Sequence, residues 1–345
     1  MSPAEPNHDK PDRISWNDAG EIFASLPYLL GFHPVDSLVV VAMNRVTSTV
    51  VAVARVSLPD PTNYHAAATR LSTAMSSRGL LSVLLMVIAD RSGEDIPHRA
   101  LIDECTAVFD RAGVPVIDAW WAAACAAGSP WHCYRESDHT GAVSDPTASS
   151  VAAHSVAAGH ITYNSREEMA ALLSPEPDDV LARRAALLAS VPAGHRRHPA
   201  DRYLQYCEID RAIRNAYDGV LPKTDDEIVR LVLALRDLAI RDACLLQNEG
   251  VFRDGAEQLW RYLVRAVPGH DRAEPAVLLA ISAYLQGNGV LAGMALQCAT
   301  DASPENSLAA LVTEALAYGM PLTQFRHAIN CSAIESLDEI MKSMP

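Results

Sequence analysis

Leu-Pro-Tyr-Leu-Leu-Gly-Phe-His-Pro-Val-Asp-Ser-Leu-Val-Val-Val, residues 26–41, changes its local pattern in mid-stretch. Leu26, Leu29, Leu30 and Phe32 close an amphipathic helical pattern at Gly31, where a left-handed backbone ends a helix without a Cβ clash. His33-Pro34-Val35-Asp36-Ser37 then forms a tight polar turn that launches a strand. Upstream, Ser15 is placed to cap a helix running to about Leu30, with Asp18 at its third position and Pro27 kinking or ending it early. Downstream, two valine-rich segments, 37–43 and 49–58, are joined by Asn44 and Arg45 and read as a hairpin.

The alternation of elements continues. Asp60-Pro61 signals a helix that ends near Gly79, and residues 80–89 form an apolar run of strand length suited to burial on both faces. Pro97 starts a further helix that Gly113 stops, 114–121 is the next strand, and 131–134 is an edge strand. Residues 136–150 read as a loop, 151–159 as helix, and 160–163 as a last short strand. The order β-β-α-β-α-β-(β) implies an α/β (α+β) domain built on a mixed sheet.

Beyond it the pattern is helical to the end. Ser165-Arg166-Glu167-Glu168 and Thr224-Asp225-Asp226-Glu227 are capping boxes, the second opening a long helix to about Gln247. Leu279, Ala280, Gly287, Ala292, Leu296, Ala299 and Pro304 fall at tetratricopeptide-like spacing. Gly250, Ala256, Trp260 and Pro268 echo it upstream, and Leu308, Leu311 and Gly319 echo it downstream. The organisation expected is a tail at 1–12, an α/β domain at 13–164, connecting helices at 165–200, and an all-α helical-hairpin domain at 201–345.

Composition limits the function classes. The 345 residues carry a net charge of −14, which opposes binding to nucleic acid. The one basic cluster, His195-Arg196-Arg197-His198 with Arg183, Arg184 and Arg202 nearby, reads as a solvated linker face. The run at 80–89 is far below the ~20 residues of a membrane helix, and residues 1–10 show no signal-peptide pattern. Seven scattered cysteines suit reduced thiols packed as small hydrophobes, and hence a cytoplasmic protein.

Leu29-Leu30-Gly31-Phe32, Pro34, Asp36-Ser37-Leu38-Val39 and Arg55-Val56-Ser57-Leu58-Pro59 together resemble the actinobacterial family known as domain of unknown function 4192. The resemblance continues through Ser165-Arg166-Glu167-Glu168, Ile240-Arg241-Asp242-Ala243, Leu259-Trp260-Arg261 and Ala283-Tyr284-Leu285-Gln286-Gly287-Asn288-Gly289, covering about residues 16–322. It implies a soluble protein without an assigned role. Two departures stand out: Ser57 occupies a position where the family pattern has an acid, and residues 136–145 lack a Cys- and Pro-rich turn.

No catalytic signature emerges. His33, Asp36 and Ser37 carry the residue types of a nucleophilic triad, but they lie within one turn, whereas a triad converges from separate elements. They read better as turn-forming groups, with a polar pocket nearby into which Arg55 reaches as an anion clamp and to which Arg166 belongs. Arg241-Asp242, in an apolar helix, reads as a buried salt bridge, a contact hot spot or a plain exposed face, and Trp260 as core or anchor, so these three are the candidate interface residues. Trp120, Trp121 and Trp131 read as core, with an interface anchor as the alternative. His132-Cys133 with Asp138, His139, His154 and His160 are metal-ligand types without paired spacing, so no metal site is expected. No glycine-rich phosphate loop appears, and no cofactor is implied.

Two readings follow. The first is a non-catalytic protein-interaction or scaffold protein, holding a protein partner or a second copy of itself in the helical array. The alternative is a small-molecule-binding sensor or enzyme with a polar pocket between the α/β and helical domains.

Overall fold

The computed structural model describes residues 18–47, 49–76, 81–91, 93, 95–157, 159, 161–191, 199–318 and 320–344. The chain divides into two compact units, Met1–Met169 and Ala170–Pro345.

The first unit opens with α1, Ala19–Leu30. Asp18 is its N-cap in extended conformation, its carboxylate accepting the Gly20 amide at 2.8 Å. It therefore lies one step outside the helix, not at the third helical position; Ser15 falls outside the described residues. Pro27 neither kinks the chain out of the helix nor stops it. Its ring removes one backbone donor, and eight other buried residues, Ile22, Phe23 and Leu26 among them, keep the helix packed. Gly31, at φ 78°, ends it.

The hairpin forms as β1, Ser37–Asn44, and β2, Val50–Ser57, with Ser37 opposite Ser57 and Val39 opposite Arg55. Asp60-Pro61 opens a 3-10 turn at Pro61–Asn63, and α2 proper spans Tyr64–Ser76. Then come β3 (Leu81–Ile88), α3 (Arg99–Arg111), β4 (Val116–Ala122), β5 (Pro130–Cys133) and β6 (Thr140–Ala142). The sheet order is β2-β1-β3-β4-β5-β6, mixed as expected: β3 and β4 run parallel and the other neighbours antiparallel.

The sheet departs from the sequence expectation at its far edge. Residues 136–150 contain the strand β6, so β5 is interior. Thr-Gly-Ala carries no alternating β-branched signal; its pairing is dictated by the neighbouring strand. The Trp131 ring lies so close to Gly141 that a Cβ would sit 2.7 Å from it, so glycine is required. α4, Ser150–Ala157, packs with α1. Of the strand expected at 160–163, His160 lies outside the described residues, and Tyr163 makes an isolated parallel bridge with Phe32. α5, Arg166–Ala171, follows.

One sheet face, with Leu38, Val40, Val83, Leu85 and Val87, packs against Leu71 and Met75 of α2 and Leu101, Cys105 and Phe109 of α3. On the opposite face Val39, Val41, Leu84 and Met86 are equally inaccessible. Burial on both sides is why these strands read as continuous apolar runs.

The second unit holds helices and no strand among its described residues: α6 (Asp178–Ser190), α7 (Pro199–Tyr217), α8 (Asp225–Leu235), α9 (Leu238–Ala243), α10 (Arg253–Ala266), α11 (Ala273–Leu285), α12 (Gly289–Ala302), α13 (Ser307–Ala317) and α14 (Leu322–Met341). Thr224 and Glu227 form a complete capping box at the start of α8. The helix expected to reach Gln247 instead breaks after Leu235. Asp237 adopts an extended conformation and caps α9 through the Ala239 amide, while Arg236 turns to bind Asp271 at 2.7 and 2.8 Å. A short polar side chain offering its own cap competes with helix continuation. α11 and α12 pack together across the turn at Gln286-Gly287-Asn288, with Gly287 at φ 84°.

Candidate functional site

The turn at 31–37 becomes one wall of an open cleft of about 340 Å³ within the first unit. His33, Asp36, Arg55 and Arg166 all line it, together with Phe32 and Glu167. Strand pairing accounts for half of this assembly. Ser37 faces Ser57 and Val39 faces Arg55 across β1 and β2, and the pleat's period of two sends Ser37, Arg55 and Ser57 to one face of the sheet. The other half comes from the crossing of 161–167 over the turn. The Tyr163 amide donates to the Gly31 carbonyl at 2.8 Å and the His33 amide donates to the Tyr163 carbonyl at 3.0 Å. That crossing brings the first turn of α5, with Arg166 and Glu167, to the cleft. Half of the expected capping box forms: the Glu168 amide donates to the Ser165 hydroxyl at 3.1 Å, while its carboxylate reaches past the Ser165 amide to accept the Asn164 amide at 2.7 Å.

Ser37 is not a nucleophile in this geometry. It is fully buried; its hydroxyl donates to the Val35 carbonyl at 2.7 Å and accepts from Arg55 Nε at 2.8 Å. Asp36 holds a positive φ of 43°, a region that short polar residues tolerate and most others do not. Its carbonyl accepts the Leu58 amide at 2.9 Å, so the strained turn is tied to the end of β2.

Arg55 is the centre of the cleft. Its guanidinium binds Ser37 Oγ at 2.8 Å, Ser57 Oγ at 3.0 Å and the Val35 carbonyl at 3.3 Å, and lies 5.8 Å from the Phe32 ring centroid. Every one of these partners is neutral. No carboxylate among the described residues reaches ion-pair distance of Arg55. Burial lowers its pKa, and the nearby positive charge of Arg166 lowers it further, with Glu167 and Asp36 opposing from longer range. Glu167 stays ionised readily: its own backbone amide, then the Ser165 hydroxyl, hold its carboxyl below the ordinary range.

The candidate interface residues sit elsewhere. Trp260 has no exposed surface, and Arg241 is buried between Asp242 at 2.7 Å and Glu274 at 3.1 Å. Trp120, Trp121 and Trp131 are buried as well. The core of the basic cluster, 195–198, lies outside the described residues. Arg183 and Arg184 are paired with Asp225, and Arg202 with Asp237.

Of the metal-ligand residue types, His132 turns to Trp121, with ring centroids 5.7 Å apart, and His154 is exposed on α4. Cys133 and His139 do come together, joined by Asp118 from β4. Sequence reasoning missed Asp118, although a lone carboxylate inside an apolar strand was the available signal. It also missed Glu167 as a cleft residue, because its place depends on the crossing at Tyr163.

All seven cysteines are free thiols, and among the described residues no helix is long and apolar enough to cross a membrane. A family model described as a domain of unknown function, DUF4192, matches residues 20–322. No curated protein and no solved structure matches the chain.

Proposed function

The chain belongs to the DUF4192 family, and we propose that it is a small-molecule-binding protein whose ligand carries a carboxylate or phosphate held by Arg55. The observation that carries this reading is the set of neutral partners around a half-buried guanidinium. A buried charge is usually compensated by an opposite charge. Here an oxyanion from outside supplies that compensation, and an arginine fork suits its planar oxygens. The cleft volume falls in the range of small-ligand sites. Arg166 adds a second positive charge, and Phe32 gives the guanidinium an aromatic backing.

The test is a thermal-shift and calorimetric screen of inorganic phosphate, dicarboxylates and phosphorylated metabolites. At least one oxyanion class raises the melting temperature of the wild-type chain, and Arg166→Ala weakens that binding while the unliganded protein melts as before. Absence of any oxyanion response across the screen refutes the reading. Seven unpaired thiols fit a reducing, cytoplasmic setting.

A second reading, protein interaction by the helical unit, is favoured by Leu311, Tyr318, Ile334 and Met341, large apolar residues left exposed on or beside α13 and α14. Under it, Ile334→Glu abolishes a complex recovered by crosslinking and leaves the oxyanion response intact.

A further inference from the structure

We propose that Asp118, Cys133 and His139 form a Zn²⁺ site with three protein ligands and a fourth position open to solvent. The site shares no residue with the Arg55 cleft.

Three separate stretches build it. Asp118 lies in β4, Cys133 is the last residue of β5, and His139 immediately precedes β6. Cys133 pairs with Trp120, so the pleat places Asp118, two residues from Trp120, on the same face as the thiol. The Tyr134 amide donates to the Ala119 carbonyl and the Cys133 amide to the His139 carbonyl, both at 2.9 Å. These bonds fix the register that gathers the side chains. One donor atom from each residue lies within 4.8 Å of the other two.

The Cys133–Asp118 separation suits chelation. Cys133 Sγ lies 3.3 Å from Asp118 Oδ1. Tetrahedral zinc with bonds of about 2.3 Å to sulfur and about 2.0 Å to oxygen sets its ligands roughly 3.5 Å apart. This pair is therefore already at the right span. His139 is exposed, so its imidazole can swing in without disturbing the core. Its ring already rests edge-on against Trp131, with centroids 5.1 Å apart.

Two backbone donors converge on the sulfur, which without a metal is a thiol that donates to Asp118 Oδ1 and is held above its ordinary pKa, by burial first. The backbone amides of Arg135 and Glu136 both point at Cys133 Sγ, at 3.3 and 3.4 Å. Once a metal displaces the thiol proton, these same two amides stabilise the anionic sulfur. Arg135 is locked in place by its guanidinium, which donates to the Ile117 and Val116 carbonyls at 2.9 and 2.8 Å. The loop that wraps the sulfur is thus anchored to the strand that carries Asp118. Asp118 makes no ion pair among the described residues.

Sulfur, imidazole nitrogen and carboxylate oxygen together select a borderline-soft ion, and a thiolate among only three protein ligands favours zinc over magnesium or calcium. The sequence hides the site because the adjacent His132-Cys133 pair splits across the sheet: His132 faces Trp121, and the working histidine lies past the loop.

The test uses the full chain stripped with a chelator and titrated with Co²⁺, followed by competition with Zn²⁺. One equivalent of cobalt binds with a thiolate-to-metal charge-transfer band, and zinc displaces it. Cys133→Ser removes the band. Asp118→Asn and His139→Ala each weaken affinity by at least about tenfold, a loss that even outer-shell partners produce. His139 is exposed, so its variant stays folded even where Cys133→Ser does not. Cys331 and His327, 3.7 Å apart on α14, are the control pair, and His327→Ala leaves the band unchanged. The proposal is overturned by the lack of a charge-transfer band, or by a band that survives His139→Ala and disappears with His327→Ala.

Discussion

Arg55 of the α/β unit and Arg184 of the helical unit each direct three hydrogen bonds into the protein, yet their partners differ in kind. Arg184 meets Asp225 at 2.7 Å, Glu176 at 2.7 Å and the Ala266 carbonyl at 2.7 Å. Burial alone would lower its pKa, but the hydrogen bonds to Asp225 and Glu176 more than offset this, and the net shift is upward. Arg202, Arg214, Arg230 and Arg236 shift upward too, each bound to a carboxylate. Arg55 is shifted down, with two serine hydroxyls and a carbonyl as partners. The same side chain is a structural clamp in one unit and an uncompensated charge in the other. That difference, more than the turn motif beside it, marks the cleft.

The sharpest break of the comparison is stability. Arg184→Ala strands the Glu176 carboxylate and the Ala266 carbonyl and leaves Asp225 to Arg183 alone, and is expected to destabilise by about 3 kcal/mol. Arg55→Ala loses hydrogen bonds to neutral oxygens only, and is expected to cost about 1–2 kcal/mol. Denaturant unfolding of both variants checks the order; an equal or larger loss at Arg55 would make it a structural clamp as well. Next in size is the backbone at Asp36. Asp36→Val puts a β-branched residue at φ 43° and is expected to cost about 1–3 kcal/mol, while Asp36→Gly relieves the strain and stays near wild type. Matched melting temperatures for the two would show that the turn relaxes freely.

Acid separates the two arginine environments further. The Arg184 hydrogen bond, with Arg183 beside it, holds the Asp225 carboxyl below its ordinary value of 3.8. A lowered folded-state pKa means the unfolded chain takes up the proton first. This stabilisation is complete at neutral pH and is lost as pH falls through the carboxylate range. Asp225→Asn flattens that acid limb in a pH series of melting curves, whereas Arg55→Ala leaves it unchanged.

The sheet was legible where apolar runs or β-branched alternation announced burial: β1, β2, β3 and β4 all appear within a residue or two of their expected places. β6 was not, because Thr140-Gly141-Ala142 owes its pairing to β5 and to the Trp131 ring. The break at Asp237 was hidden for a related reason. A polar residue in an apolar helix reads as surface until its cap to Ala239 and the pull of Asp271 on Arg236 are seen. His33, Asp36, Arg55 and Arg166 were legible as polar residues of unusual turns and pairs. Their convergence was only partly so, since it rests on Tyr163 crossing Gly31, a contact between residues far apart in the chain.

The most direct measurement is calorimetric titration of the best oxyanion from the screen into wild-type, Arg55→Lys and Arg55→Ala proteins. Lysine keeps the charge and loses the fork. Saturable wild-type binding, a loss of about tenfold or more with lysine, and no detectable binding with alanine are expected. Equal affinity in all three proteins would contradict oxyanion binding by Arg55.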